Sequence, residues 1–300
     1  MNKKSLRSQQ GIALLQVLLL SAIISILAIR FSVTARDQIK ISAAFEQRVK
    51  ATQLLKSTKK QIFYTLLTQK PSQSNKLLFP NSEAWNFYGQ PFTLVDNSEQ
   101  KIVVSIQDNA GLLSQQNSTS PLWRQVLLNI GYSETAVKKI QGQLKDWQDR
   151  DNNSWILGNT EPSALPGGQT FRNQPIQLPQ EIAWFFTEQT ELIPTIKHIS
   201  TSFAGAGVNF LHAPDLLISL FFEAEIASEI IRLRNLQQLT TNEMITMLGD
   251  AYDDELISFF PGNQFKIVLQ VSLADVALQE TVEILIQPRQ VEPILIFFRY

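Results

Sequence analysis

Residues 12–29 read IALLQVLLLSAIISILAI, a run of 18 residues without a charged side chain, and this run governs the interpretation of the whole chain. As a helix rising about 1.5 Å per residue it spans about 27 Å, close to the hydrocarbon thickness of a bilayer. Lys3, Lys4 and Arg7 precede it, and no acidic residue does. Because positive flanks stay on the cytoplasmic side, the sequence predicts one membrane span, with everything after Arg30 exported.

Three interpretations of this apolar segment remain open at the level of sequence. A cleavable secretory signal needs a small-x-small exit site, which Val-Thr-Ala at 33–35 supplies, although the apolar run is long for a signal. A plain signal anchor needs only the run itself. The third interpretation rests on residues 31–67, which contain neither proline nor glycine before Pro71. It predicts one amphipathic rod over residues 12–69, about 85 Å long. Its apolar positions are Ile39, Phe45, Val49, Leu55, Ile62 and Leu66.

The composition of the chain excludes several classes of protein. Its 300 residues carry a formal net charge of −1 and no cysteine, so disulfides, thiolate metal sites and cysteine nucleophiles are ruled out. A near-neutral chain has no electrostatic footprint for nucleic acid. No nucleophile elbow, phosphate loop, zinc-protease motif or dinucleotide fingerprint occurs, and the two histidines, His198 and His212, lie in unrelated contexts. The sequence therefore predicts a protein that is not an enzyme and does not bind nucleic acid.

The chain after the long helix divides into strands, helices and strands again. Residues 91–95 and 101–106 predict a hairpin, and residues 109–260 predict a helical block. Further strands are predicted at 264–271, 276–287 and 291–300. The predicted helices run from Pro121 to Gly131, from Ser133 to about Trp147, and over 180–188, 213–222, 223–236 and 241–248. Since two strands make no stable sheet alone, we expect the first two to pair with the last three, with the helical block inserted between them.

A short basic leader ending in glycine, followed by a hydrophobic segment fused to a long helix, resembles the type IV pilin and pseudopilin family. In that family a prepilin peptidase cuts after the glycine, which implies cleavage between Gly11 and Ile12 and N-methylation of Ile12. Most members carry glutamate at mature position five, where this chain has Gln16. Among them, the minor pseudopilin K (GspK) family of type II secretion systems characteristically lacks this glutamate, and the N-terminus resembles that family closely.

The resemblance covers the whole chain and implies an α+β fold. A pilin-like long N-terminal α-helix would pack on an antiparallel sheet, with a large all-α domain inserted between strands. The implied boundaries are a leader at 1–11, a membrane segment at 12–29, a pseudopilin αβ-domain at 30–108 and 261–300, and an inserted α-domain at 109–260.

The resemblance also implies a role in assembly. The chain would cap the tip of the periplasmic pseudopilus of a type II secretion system and support export of folded proteins across the outer membrane. Its partners would be the minor pseudopilins I and J, the prepilin peptidase and the lipid of the inner membrane, crossed once with the C-terminal domain in the periplasm. A minor pilin of a type IV pilus and a signal-anchored periplasmic protein remain alternatives.

One internal motif predicts a cation site. Asp-Trp-x-Asp-x-Asp at 146–151 resembles a segment of the same family, whose members bind calcium in this domain. Asp149, Asp151 and Asn153 occupy positions 1, 3 and 5 of an EF-hand-like loop, but its central glycine is replaced and Glu161 comes one residue late. The resemblance thus implies a looser Ca²⁺ site made of Asp149, Asp151, Asn153 and Glu161. A solvated turn capped by the same side chains is the alternative.

Three further features support more modest expectations. The segment at 108–111 resembles the family's turn into the α-domain, and the segment at 208–217 resembles a family segment in which His212 replaces a threonine. The acidic run at 250–255 predicts a solvated face rather than a second cation site. The lysines at the end of the long helix are expected to be exposed or paired with a neighbouring subunit. They are Lys56, Lys59 and Lys60.

Overall fold

The computed structural model describes residues 7–69, 85–156, 160, 162, 164–205 and 207–299. Its longest element is α1 (Arg7–Thr68), an unbroken helix of 62 residues. After Gly11 it contains no proline or glycine, the residues that most weaken the backbone hydrogen bonding of a helix. The prediction of one continuous helix is confirmed, and the predicted stop at Pro71 lies outside the described residues.

Only the C-terminal third of α1 packs against the rest of the described chain. Its buried face recurs every three or four residues, as expected for one side of a helix. That face consists of Ala51, Leu55, Thr58, Ile62, Thr65 and Leu66. Ile39 and Phe45, predicted on the same amphipathic face, are instead more than two-thirds exposed, because the sheet does not reach that far along the rod. Within this chain, burial of the predicted amphipathic face is therefore confined to the end of the helix.

A five-stranded antiparallel sheet supplies the surface on which α1 packs. Its strands are β1 (Phe92–Asp96), β2 (Gln100–Asp108), β5 (Gln264–Leu273), β6 (Val276–Ile286) and β7 (Ile294–Arg299), in the order β1-β2-β5-β6-β7. The predicted pairing of the first two strands with the last three is confirmed. The hairpin turn is tighter than predicted, because the side chain of Asn97 accepts hydrogen bonds from the backbone of Glu99 and Gln100.

The alternation of side chains divides the sheet into an apolar and a polar face. Phe265, Ile267, Leu269 and Val271 of β5 point toward α1 and are at most 2% exposed. Lys266, between the first two, points to the opposite face, as the two-residue period of a strand requires. The apolar face and the end of α1 form one core.

The chain between β2 and β5 forms a second core of its own. Its helices are α2 (Pro121–Ile130), α3 (Glu134–Gln148), α4 (Ile193–Ile199), α5 (Asp215–Phe221), α6 (Ala224–Asn235) and α7 (Thr241–Leu248). Two short parallel strands, β3 (Leu113–Ser114) and β4 (Ser200–Thr201), pair with each other within it. We call residues 109–260 the inserted block. Its largest fully buried side chain, Trp123, donates its indole N–H to the backbone oxygen of Ser114.

Most predicted helix ends in the inserted block are confirmed. The side chains of Ser120 and Ser133 cap α2 and α3, and Gly131 ends α2 with a φ of 113°. The predicted helix at 180–188 is wrong. The chain forms a 3₁₀ turn over Glu181–Phe185 instead, and its period of three residues places both Ile182 and Phe185 in the core.

The lysines of α1 do not behave alike. Lys56 and Lys60 are exposed, as predicted. Lys59 instead forms an ion pair of 2.7 Å with Glu280 of β6, and both side chains are largely buried. Because β6 lies directly under this turn of α1, the partner of Lys59 comes from the same chain.

Candidate functional site

The first part of α1 is a candidate membrane anchor. The helix from Ile12 onward contains an 18-residue window with a mean hydropathy of 2.8, and none of that window is buried by the described chain. By length and composition it is suited to cross a membrane once. Ile12 and Gln16 are both exposed on it. The Gly11–Ile12 bond lies within the second turn of α1, where a glycine weakens the helix close to its end.

The loop after α3 is the candidate cation site, and several backbone contacts fix its shape. The carboxylate of Asp146 accepts a hydrogen bond of 2.8 Å from the backbone N–H of Trp155. The carboxylate of Asp151 accepts one of 2.8 Å from the backbone N–H of Asn153. From the far end of the loop, the amide of Asn173 donates to the backbone oxygen of Asp151 at 2.7 Å. The two ends of the loop are therefore held together beside the end of α3.

Three buried oxygens in this loop lack a hydrogen-bond donor among the described residues. They are Oδ1 of Asp149, Oε1 of Gln169 and Oδ1 of Asn173. Asn173 adopts a φ of 53°, a left-handed conformation that asparagine tolerates better than most residues. The sequence predicted Asp149 but missed Asn173, since it lies 22 residues beyond Asp151 and no local pattern marks it.

The carboxylates of the loop repel one another. Burial raises the pKa of Asp146, and the nearby carboxylate of Asp151 adds to the increase while the N–H of Trp155 opposes it. Burial likewise raises the pKa of Asp149, and the negative charges of Asp151 and Asp146 raise it further. A cation bound among these groups would relieve both effects, because it favours the ionised form of each carboxylate.

The oxygen atoms of this loop suit a hard cation, although the described side chains do not form a complete set of metal ligands. Carboxylate and amide oxygens are the ligands that Ca²⁺ takes in proteins, and the three unpartnered oxygens are of this kind. Within the described ranges no three Asp, Glu or His side chains converge closely enough to hold a metal ion. Glu161, the fourth predicted ligand, lies outside the described residues, and the exposed Asn153 is paired through its backbone with Thr160.

An ion pair that the sequence did not predict anchors the same loop to the rest of the inserted block. Arg172 reaches the carboxylate of Glu181 at 2.9 Å and lies over the ring of Trp147. The carboxylate of Glu181 is almost completely buried and also accepts hydrogen bonds from the indole N–H of Trp147 and the backbone N–H of Leu178. Since Arg172 directly precedes Asn173, this pair fixes the position of the Asn173 side chain.

A buried carboxylate joins the two ends of the inserted block. Asp108, at the end of β2, accepts hydrogen bonds from the backbone N–H of Ala110 at 2.9 Å and of Gly262 at 2.9 Å. Its third partner is Nδ1 of His212, at 2.7 Å. Gly111 fits against the backbone oxygen of His212 so closely that a Cβ atom would lie 2.1 Å from it. The two sequence segments around 108 and 212 therefore meet at one point, which we call the Asp108 junction.

No protein-family model matches the sequence, and no curated protein matches it. Among solved structures, a chain of the GspK-GspI-GspJ complex from the enterotoxigenic Escherichia coli type 2 secretion system is similar, with a TM-score of 0.55 and 13% sequence identity. The match covers 86% of this chain and 98% of that chain. This chain has a GspK-like minor pseudopilin fold.

The pseudopilin fold accounts for the order of the elements but not for the side chains of the site. The similarity is one of fold, and it takes in almost the whole of the other chain. At 13% identity, the Asp108 junction and the loop around Asp149 have to be understood from the contacts of this chain itself.

Proposed function

We propose that this chain is a minor pseudopilin of a type II secretion system, placed at the tip of the periplasmic pseudopilus. The proposal rests on two features found together in this chain. One is an apolar helix suited to cross a membrane, and the other is a fold shared with a chain of the GspK-GspI-GspJ complex. Its role is assembly, and through assembly the export of folded proteins across the outer membrane. In this role the chain acts as a structural component rather than as an enzyme.

Two features support a position at the tip. The inserted block adds about 150 residues beside the sheet, and this bulk would obstruct a further subunit above it. Gln16 supplies no negative charge at mature position five, where other members of the resembled family pair a glutamate with the terminal amine of a neighbouring subunit. A carboxylate in the membrane is costly without such a partner, so a subunit with no neighbour above it has no use for one.

Processing tests the membrane part of the proposal. We propose that α1 anchors the precursor once in the inner membrane until prepilin peptidase cuts between Gly11 and Ile12 and Ile12 is N-methylated. Mass spectrometry of the mature N-terminus should therefore find N-methylated Ile12. A start at Arg36 would favour a cleaved secretory signal, and an intact Met1 would favour a plain anchor; either result contradicts the proposal.

Secretion tests the functional part. Deletion of the gene should leave secreted enzymes in the periplasm, and the wild-type chain should restore their export. Secretion that stays normal while surface pili disappear would contradict the proposal and favour a minor pilin of a type IV pilus. Co-purification with the minor pseudopilins I and J checks the proposed partners, and a chain recovered without them after mild crosslinking would count against the tip position.

We also propose that the loop after α3 binds Ca²⁺ through the predicted Asp149, Asp151, Asn153 and Glu161, with Asn173 as an additional ligand. The unpartnered oxygens of Asp149 and Asn173 support this proposal. Bound Ca²⁺ would supply the positive charge that the cluster lacks and would fix the loop on α3.

Thermal unfolding of the full chain in detergent tests the calcium proposal. Adding Ca²⁺ should raise the unfolding temperature, and Asp149→Ala, Asp151→Ala and Asn173→Ala should each reduce that rise. Asp254→Ala, in the exposed acidic run of the same block, is the matched control and should leave the rise unchanged. A wild-type chain that shows no rise, or a rise that survives all three substitutions, excludes the site.

A further inference from the structure

The polar face of the sheet leaves a cleft beneath the inserted block. The cleft has a volume of about 200 Å³, enough for several waters or a small organic ion. Its floor includes Ser105 of β2 and Lys266 of β5, on the face opposite α1. Its roof comes from the end of α4 and from β4, including Lys197, His198 and Thr201. Two parts of the chain with separate hydrophobic cores therefore meet here across an open cleft.

The charges that line the cleft are mainly positive. Lys266 contributes from below and Lys197 from above, against the single carboxylate of Glu283, which lies opposite Lys266 on the neighbouring strand. Lys197 takes part in no ion pair with another residue in the part of the chain that the structure describes. Burial lowers the pKa of His198, and the positive charge of Lys266 lowers it further. The two layers thus face each other with like charges.

The hydroxyl groups of the cleft favour a negatively charged ligand, as the lysines do. Ser200 already donates its hydroxyl to the backbone oxygen of Ile196, and Ser105 donates to that of Gly89. Thr201 accepts a hydrogen bond from the backbone N–H of Phe203, which leaves its own hydroxyl proton for a ligand. A negatively charged oxygen placed between the layers would therefore meet ammonium and hydroxyl donors from the inserted block and an ammonium donor from the sheet.

We propose that this cleft binds a small oxyanion, a carboxylate or phosphate group, held between Lys197 of the inserted block and Lys266 of the sheet. The bound anion joins the two layers and removes the repulsion between their positive charges. Because it binds the folded chain only, it raises stability in proportion to the logarithm of its concentration once the site is saturated. This inference does not depend on the proposed role in secretion.

Calorimetric titration of the full chain in detergent tests the site, in calcium-free buffer and at constant ionic strength. Inorganic phosphate and succinate are titrated separately, with sodium chloride as the reference. Saturable binding of phosphate alone identifies a phosphate site, and binding of succinate alone identifies a carboxylate site. Lys197→Gln and Lys266→Gln should each raise the Kd about tenfold or more, as expected when a charged hydrogen bond is lost. Lys60→Gln, an exposed lysine on α1, should leave the Kd unchanged.

Two outcomes would overturn the proposal. The first is a titration in which neither anion binds more tightly than chloride. The second is binding with a Kd that Lys197→Gln does not change. Lys197 is exposed, so we expect its replacement to keep the fold and to remain informative even if Lys266→Gln fails to fold.

Discussion

Nδ1 of His212 lies 2.7 Å from Oδ2 of Asp108, and both side chains are buried where the inserted block leaves the sheet and returns to it. The same carboxylate holds the backbone of Gly262, at the start of the final strands. One side chain therefore ties together three segments that are more than 45 residues apart in sequence.

Replacing Asp108 should destabilise the chain strongly. Asp108→Ala removes the partner of three hydrogen bonds, one buried and two partly buried, and we expect the free energy of unfolding to fall by about 3–5 kcal/mol. Urea titration followed by tryptophan fluorescence measures it. Asp253→Ala is the matched control, because Asp253 also caps a backbone N–H but is exposed, and it should cost about 0.5 kcal/mol. Equal effects of the two substitutions would show that the Asp108 junction adds no stability.

A buried arginine connects the segment before β1 to the inserted block. The guanidinium of Arg234 donates to Ala213 and Asp215, and it lies 3.8 Å from the centre of the Tyr88 ring. Arg234→Lys keeps the charge but loses the planar fork, and we expect it to cost about 2–4 kcal/mol in unfolding free energy.

The neighbouring Arg232 is a close control for that substitution. It pairs with Glu229 one turn away on the exposed side of α6, so Arg232→Lys should cost less than about 0.5 kcal/mol. The same urea titration compares the two variants. If Arg232→Lys is as damaging as Arg234→Lys, burial of the guanidinium is not the cause.

The two halves of α1 should respond differently to the same substitution. Ile62 is fully buried against the sheet, and Ile62→Ala should cost about 2–5 kcal/mol. Ile39 is 68% exposed, and Ile39→Ala should change the stability of the isolated chain by no more than about 0.5 kcal/mol. In a pseudopilus Ile39 would pack among other helices, so Ile39→Ala should reduce co-purification with partner subunits. A large stability loss from Ile39→Ala would contradict the exposed position.

Stability should fall as the pH falls below about 6.5, in part because of His198. In the folded chain burial and Lys266 lower the pKa of His198 below its ordinary value of 6.5. Below that pH the unfolded chain binds a proton that the folded chain binds less readily, so unfolding is favoured. His198→Gln should therefore reduce the loss in urea midpoint between pH 7 and pH 5. Lys60→Gln, at an exposed position on α1, should leave that loss unchanged, and parallel curves for wild type and His198→Gln would refute the prediction.

The order of elements was predictable because each depends on local pattern. The charge-free run, the absence of proline and glycine before Pro71, and the caps at Ser120, Ser133 and Gly131 all act within a few residues. The pairing of distant strands followed from a general requirement, since two strands alone bury too little apolar surface.

The errors and omissions involve interactions that sequence order does not show. The turn at Glu181–Phe185 looked helical, but its period is set by packing of Ile182 and Phe185 in a core built from distant helices. The seven-residue helix α4 is too short for a periodic signal and contains Pro194 in its first turn. Asn173 meets Asp151 only because Arg172 and Glu181 fix the returning chain.

The meeting of both ends of the inserted block at Asp108 has a mechanical consequence. Tension or thrust along α1 passes into the sheet through Ile62 and its neighbours, which contact β5 and β6. From there it runs along the hydrogen-bonded ladder between β2 and β5, one end of which Asp108 closes. The inserted block branches from that end of the ladder and does not interrupt it, so a force applied along α1 would reach the sheet without stretching the block.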